Sequence, residues 1–495
     1  MSQDGKVTQN KSRVERYLNI IGMPLALLVF TAIILMPTPP GLTVQGQRAM
    51  AVFWLAFVLW LTTPIPVWLT SMLSIVLLAL TGGWDYKQAF YRFGEEVIWL
   101  MVAAFMIASA LEKSGVGKRI AYTMAQYFGR KASTALLGLI FLNIALAFVV
   151  PSTTARAAIV LPMALLMASA YGARPGSRFG KLLMLQQPIA NNLATAMILT
   201  ATAPQIIAWG FIYTMTGVEI PWLTWLIAQA PIILITMFLM WLVGMKIWKP
   251  EVREPLGGLA RLKDELSKLG PLSRDEKSAL AIFALVLFLW ATDQWHTKMF
   301  FGMRIPFSVV AVIGATLLFM PKIGPLKSWK DAKIPWDLMI FSAGAYAVGM
   351  ALEDTGAARW MVKALLSATG LSRGVSPFIV YAILVGIMMY SHIIFSSKTV
   401  RTVIFIPLYI ILAESLGIPP VMIALPAAFT IAWSISLPFN CKPNLIYYGT
   451  GYFSVMDELM YGLIVCTIGY VLYLTVGWVW FNYLGTVGLI PGWAR

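Results

Sequence analysis

The chain has 495 residues, of which 59% are hydrophobic and only 12% charged, and its formal net charge is +16. An ordinary soluble domain is about 45–50% apolar and about 25% charged, so this composition excludes a soluble globular protein. The basic excess does not point to nucleic acid either, because the lysines and arginines fall in short loops between apolar runs, the pattern that sets membrane orientation.

The first sixteen residues are polar and carry both signs, including Asp4 and Glu15. The apolar run 17–36 is followed by no small-residue cleavage site, so it reads as a first span and not a signal peptide. Further spans are expected at 47–63, 64–82, 96–112, 182–211, 219–247, 278–292, 304–320, 336–353, 418–449 and 458–484, by runs long enough for a hydrocarbon core of about 30 Å. Two more apolar segments, 132–170 and 375–416, are each interrupted by polar residues and read as re-entrant hairpins. The expected fold is therefore an all-α polytopic membrane protein with about eleven transmembrane helices and two hairpins. Its N-terminus is expected in the cytoplasm and its C-terminus outside. On that layout 24 of the 37 lysines and arginines lie in cytoplasmic segments and nine in outer ones, the bias the positive-inside rule requires. The remaining four, Arg156, Lys398, Arg401 and Lys442, lie inside interrupted apolar stretches.

The two halves repeat. Ala110-Leu111-Glu112 with Gly115 matches Ala351-Leu352-Glu353 with Gly356, and Pro204-Gln205-Ile206-Ile207-Ala208-Trp209-Gly210 matches Pro443-Asn444-Leu445-Ile446-Tyr447-Tyr448-Gly449. The expected organisation is a cytoplasmic tail (1–16), a first repeat (17–247), a linker (248–277), a second repeat (278–484) and a C-terminal tail (485–495). The first hairpin opens inward and the second outward, so the repeats are inverted, a plan common among secondary transporters. The linker is charged and rich in Gly and Pro; one short amphipathic helix and no chemistry is expected of it.

The interruptions themselves match. Pro151-Ser152-Thr153-Thr154-Ala155-Arg156 breaks the first hairpin and Ser396-Ser397-Lys398-Thr399-Val400-Arg401 the second. Hydroxyls and a cation in place of lipid-facing helix are costly unless something polar binds there. Exposed backbone N–H groups at a helix start favour an anion. Two spans also break before a proline, at Thr200-Ala201-Thr202-Ala203-Pro204 and Asn440-Cys441-Lys442-Pro443, freeing backbone groups that can line a polar site. Each of the four intramembrane cations costs about 2.5–3.5 kcal/mol on the insertion scale. Acidic partners are few: Glu112, Glu353 and Glu414 all lie near helix ends. A substrate with two negative charges supplies the missing counter-charge. His392, just before the second tip, reads as a hydrogen-bonded packing residue, with contact to substrate or titration as the alternative, and tryptophans such as Trp478 as an interfacial belt. Cys441 and Cys466 imply no disulfide or metal site, and no nucleophile, paired acid and base or phosphate loop suggests an enzyme.

The paired tips, the inverted repeat and the run Pro-Asn-Leu-Ile-Tyr-Tyr-Gly-Thr-Gly at 443–451 resemble the divalent anion/sodium symporter (DASS) family over nearly the whole chain. The resemblance implies a homodimer of elevator-type transporters, each with a scaffold and a transport domain, carrying dicarboxylates, tricarboxylates or sulfate. The family carries Ser-Asn-Thr at each tip; here those positions are Ser152-Thr153-Thr154 and Ser397-Lys398-Thr399. Loss of both asparagines, with Arg156 and Arg401 beyond, is similar to the family's 2-oxoglutarate/malate translocator branch and its bacterial exchangers. In that branch basic side chains stand in for sodium.

The expectation is thus an inner-membrane antiporter that exchanges small dicarboxylates such as malate, succinate, 2-oxoglutarate or tartrate without sodium, with lipid and its substrates as partners and no nucleic acid. Substrate-binding residues are Ser152, Thr153, Thr154, Ser397, Thr399, Asn440, Pro443, Thr202 and Pro204. Arg156 and Lys398, with Arg401 and Lys442, neutralise the anion or replace a cation. No cofactor or metal is expected. The alternatives are a symporter with sodium near Thr200, Ala203 and Cys441, and an anion channel.

Overall fold

The structure is a computed structural model that describes residues 13–255, 260–369, 374–395 and 397–493. Ser396 of the second motif, most of the N-terminal tail and linker residues 256–259 lie outside the described residues. Within them every regular element is a helix. In chain order these begin with α1 (Arg13–Leu35), α2 (Val44–Thr62), α3 (Val67–Thr81), α4 (Tyr86–Tyr91), α5 (Glu96–Ser114), α6 (Val116–Phe128), α7 (Ala132–Val149) and α8 (Thr153–Ala170). There follow α9 (Arg178–Met197), α10 (Ala203–Thr216), α11 (Trp222–Ile247), α12 (Ala260–Lys268), α13 (Arg274–Ala291), α14 (His296–Met299) and α15 (Phe307–Phe319). The last are α16 (Trp336–Asp354), α17 (Ala357–Thr369), α18 (Pro377–Tyr390), α19 (Lys398–Leu416), α20 (Pro420–Thr430), α21 (Lys442–Tyr448), α22 (Val455–Leu472) and α23 (Trp478–Thr486).

Among the described residues seven helical stretches are long and apolar enough to cross a bilayer, or eight if the α13–α14 pair, bent by 64°, is one span. The sequence expectation was eleven. Three of the seven, α7, α8 and α19, are arms of the expected hairpins, and the expected spans 182–211 and 418–449 are each cut by a break: α9 is long enough but carries four amides, and α10, α20 and α21 are short. Apolar side chains such as Leu28, Leu80, Ile383 and Val479 stand exposed on the helices, as a surface solvated by lipid requires.

The chain forms two compact units, one made of Met1–Glu95 and Trp336–Gly370, the other of Glu96–Pro335 and Leu371–Arg495. Each takes a segment from both halves of the sequence. In the first unit, α3 and α16 approach closely because Gly344 faces Ser71, where an added Cβ would strike the Ser71 backbone. Ser71 Oγ donates to the Phe341 carbonyl at 3.0 Å. Small residues that let helix backbones meet are the usual glue of membrane packing. The buried Gln47 of α2 donates to Ile33 and Met36 carbonyls, both at 2.7 Å, satisfying orphan acceptors at the end of α1.

The second unit is built on α9. Every residue from Leu182 to Met197 is buried, and α7, α8, α11 and α21 pack around it. Its N-terminus is capped by Ser177, whose Oγ accepts from Gly180 N at 3.2 Å. Glu251, in the linker segment from which no chemistry was expected, also accepts from the Arg178 and Phe179 N–H groups at 2.5 and 2.9 Å. Partial burial works against its ionisation, but those two donors outweigh it and hold the Glu251 carboxyl below its ordinary value.

Candidate functional site

Four helix breaks belong to the second unit. At the first tip Val150 is extended (φ −122°) and Ser152 starts α8, its Oγ accepting from Ala155 N at 3.3 Å. At the second tip Ser397 starts α19 in the same way, accepting from Val400 N at 3.2 Å. A serine at this position caps the free N–H groups of the first turn. Ser152, Thr153, Thr154, Ser397 and Thr399 are all half-buried. The Thr154 and Thr399 hydroxyls make no hydrogen bond among the described residues, whereas both serines are engaged as caps.

The other two breaks are near-copies in backbone terms. Thr202 (φ −163°, ψ 148°) precedes Ala203-Pro204 at the start of α10, and Cys441 (φ −161°, ψ 159°) precedes Lys442-Pro443 at the start of α21. In both the proline sits in the first helical turn, where its missing N–H costs nothing. Thr200, Thr202, Ala203, Pro204, Asn440 and Pro443 are buried.

Each tip arginine ties its hairpin to the neighbouring element. Arg156 is fully buried; its Nη1 donates back to the Val150 carbonyl at 3.1 Å, its Nε to Asn191 Oδ1 at 2.9 Å and its Nη2 to Thr195 Oγ1. Asn191 Nδ2 in turn donates to the Thr153 carbonyl at 2.8 Å. Arg401, equally buried, donates back to the Met388 carbonyl at 2.9 Å and Ser391 Oγ at 3.3 Å. Forward, it reaches the Ile431 carbonyl at 2.6 Å and Ser434 Oγ at 2.5 Å in the break after α20. The two guanidiniums thus play one part in the two halves: each closes the arm before its tip and grips the element after it.

Lys398 does something different. It is buried and donates to Asn192 Oδ1 on α9, an element of the other half. Asn192 Nδ2 then donates to Asn444 Oδ1 at 3.2 Å and to the Ser434 carbonyl at 3.3 Å, and lies 3.3 Å from Cys441 Sγ. Cys441 Sγ donates to Asn444 Oδ1 at 2.9 Å, and Asn444 Nδ2 donates to the Ser434 and Leu437 carbonyls at 3.2 and 3.0 Å. Asn191, which holds Arg156, adjoins Asn192, which holds Lys398, and Ser434 accepts from both Asn192 and Arg401. The structure therefore brings Arg156, Lys398 and Arg401 together; Lys442 stays exposed and outside this cluster. None of the three pairs with a carboxylate among the described residues, where every ion pair lies elsewhere.

Several polar groups around the breaks have partners. Ala196 O accepts from Gln205 Nε2 at 3.1 Å and Trp225 Nε1 at 3.2 Å, and Thr200 Oγ1 accepts from Trp222 Nε1 at 3.2 Å. His392 is buried with Nδ1 on the Met389 carbonyl at 2.6 Å and Nε2 on Ser436 Oγ at 2.9 Å, while Asn440 Nδ2 donates to its carbonyl at 2.5 Å. Both ring nitrogens and the carbonyl of His392 are thus hydrogen-bonded within the protein. Sequence reading missed Asn191, Asn192, Thr195 and Asn444. The signal was present in Gln186-Gln187-Pro188-Ile189-Ala190-Asn191-Asn192, four amides inside an otherwise apolar span.

Comparison with known proteins agrees with this architecture. The chain is 27% identical to the sodium-dependent dicarboxylate transporter SdcS of Staphylococcus saprophyticus, covering 88% of this chain and 86% of that one. It is 25% identical to the chloroplastic dicarboxylate transporter 1 of Spinacia oleracea, covering 93% and 81%. In fold it is similar to the crystal structure of the Alcanivorax borkumensis YdaH transporter, with a TM-score of 0.54 at 11% identity over 97% of this chain and 99% of that one. The profile described as the sodium:sulfate symporter transmembrane region matches residues 18–487, and the chain belongs to that family, the divalent anion/sodium symporters that its motifs resemble.

Proposed function

We propose that the chain carries small dicarboxylates of the malate, succinate, 2-oxoglutarate and tartrate class across a bacterial inner membrane, by sodium-independent exchange. The family is one of transporters, not enzymes. The observation that carries the reading is the cluster of Arg156, Lys398 and Arg401, three buried cations with no carboxylate partner among the described residues. A dianion held at the tips, on the half-buried hydroxyls of Thr154 and Thr399 and the N-termini of α8 and α19, supplies the absent counter-charge. Names of relatives favour a dicarboxylate over sulfate.

Exchange over sodium coupling is supported by the carbonyls at the breaks. The Ala196, Ile431 and Ser434 carbonyls are occupied by amide, indole and guanidinium donors, and the Lys398 ammonium lies on Asn192, whose amide reaches Ser434. A charge fixed to the chain cannot dissociate, so an empty carrier holds unneutralised cations and crosses poorly. Only a loaded carrier returns. All four breaks belong to one unit, which suits an elevator movement of the whole site, in a homodimer with the N-terminus cytoplasmic.

The test is uptake of labelled succinate or 2-oxoglutarate into proteoliposomes, empty or preloaded, with and without a sodium gradient. Uptake confined to preloaded vesicles and indifferent to sodium is the expected result. Uptake into empty vesicles driven by sodium, as the name of the SdcS relative suggests for that protein, overturns exchange in favour of symport. Non-saturating flux without a counter-substrate overturns both in favour of a channel.

A further inference from the structure

Glu458 lies in the first turn of α22, is fully buried, and neither carboxyl oxygen has a hydrogen-bond partner. The polar side chain it meets is that of Asn444, without closing a hydrogen bond. Asn444 is the far end of the amide relay that runs through Asn192 to the Lys398 ammonium. The close approach has a cause: Gly462, one turn on, lies where any Cβ would collide with Ile435 O and the Ser436 backbone, so α22 sits directly on the second break.

The groups around it do not neutralise it. Asp457, the preceding residue, is paired with Lys181 of α9 at 3.0 Å, and the Tyr461 hydroxyl donates to the Met240 carbonyl at 2.6 Å. From the packed elements, α11 offers Lys246 and α21 offers Lys442, both exposed. The tyrosines Tyr447 on α21 and Tyr381 and Tyr390 on α18 are neutral, as is Cys466 on α22. An ionised carboxylate buried without a partner is costly, so the charges at the neighbouring site decide whether Glu458 carries a proton.

We propose that Glu458 is a proton-binding site coupled to the anion site, so that the carrier takes up one proton with each dianion it binds and releases it when the dianion leaves. The proposal rests on the dianion reading above. With the site empty, ionised Glu458 is the one buried negative charge at the end of the relay and offsets part of the three-cation cluster. A bound dianion satisfies those cations and places like charge near the carboxylate, and like charge drives protonation. The proton passes from water to a Glu458 oxygen, forming a neutral carboxylic acid, and returns to water on the other side. Because coupling is reciprocal, protonation tightens anion binding by the same factor.

The test compares wild type with Glu458→Gln, whose amide is neutral at every pH, using 2-oxoglutarate exchange in preloaded vesicles. Wild-type KM is expected to rise at least about fivefold between about pH 6.5 and about pH 8.5, against a limit of tenfold per pH unit for one linked proton. Glu458→Gln is expected to hold the low, acid-side KM throughout. Equal pH profiles in the two proteins overturn the proposal. If the variant fails to assemble, wild-type protein in weak buffer with an indicator dye decides: about one proton taken up per anion bound supports coupling, and none overturns it. If neither protein exchanges 2-oxoglutarate, the transport reading has failed, and the dye measurement repeated with sulfate decides the proton site.

Discussion

At the residue scale the site separates two uses of a buried cation. Arg156 spends its donors on Val150, Asn191 and Thr195, so it fixes the shape of the tip as well as its charge. Thr195→Val keeps the volume but strips the guanidinium of an acceptor, and a buried donor left unpaired costs about 1–3 kcal/mol. The expected outcome is a lower thermal midpoint in detergent, and an unchanged midpoint would show that the bond contributes nothing. Lys398 instead donates to a single amide oxygen, that of Asn192. Lys398→Asn is expected to reduce sodium-free exchange more than about tenfold, a loss of roughly 1.4 kcal/mol or more in transition-state terms. A sodium gradient is expected to restore part of it. An exchange rate equal to wild type would remove Lys398 from the role of built-in cation.

At the element scale, the sequence reported the breaks but not their partners. Proline after an extended residue, and hydroxyls inside an apolar run, are local chemistry, so Thr202-Ala203-Pro204, Cys441-Lys442-Pro443 and both tips were legible. Which amide on α9 meets Lys398 is a matter of tertiary packing between residues more than 200 positions apart, and no local rule reaches it. Glu458 was overlooked for a related reason: at the edge of an apolar run it reads as interfacial, and only the approach permitted by Gly462 buries it. In the linker, Glu251 caps the helix that carries the relay. Its carboxyl is held below its ordinary value of 4.5, so its contribution is complete above that value and is lost as pH falls through the lower folded value. Glu251→Gln is therefore expected to lower stability at neutral pH by about 1 kcal/mol, the ordinary worth of a helix cap. The difference from wild type should shrink progressively below pH 4.5 in thermal melts across that range. A constant difference would mean the effect is not electrostatic.

At the scale of the whole molecule, the all-helical membrane fold was legible in composition and charge distribution, whereas the division into two units was not. The boundary at Glu95 and Glu96 falls between two helices with no change of composition to mark it. Exchange of one dianion for another, each with its proton, moves no net charge. An imposed membrane potential is therefore expected to leave the exchange rate unchanged within about twofold, since each uncompensated charge would be worth about 2.3 kcal/mol per 100 mV. A steep dependence on potential, read by potassium-diffusion clamping of preloaded vesicles, would show that an additional ion moves with the substrate.

The relay from Lys398 through Asn192 to Asn444 also bears on how the protein is made. The first half emerges from the ribosome with Arg156 already answered by its own residues, Val150, Asn191 and Thr195. Asn192 has no such provision: every side-chain partner it takes, and the Ser434 carbonyl, are synthesised more than 200 residues later. A nascent first half is thus settled at its tip and unfinished on one face of α9. The Asn192 side chain is therefore satisfied within the protein only when the second half has docked.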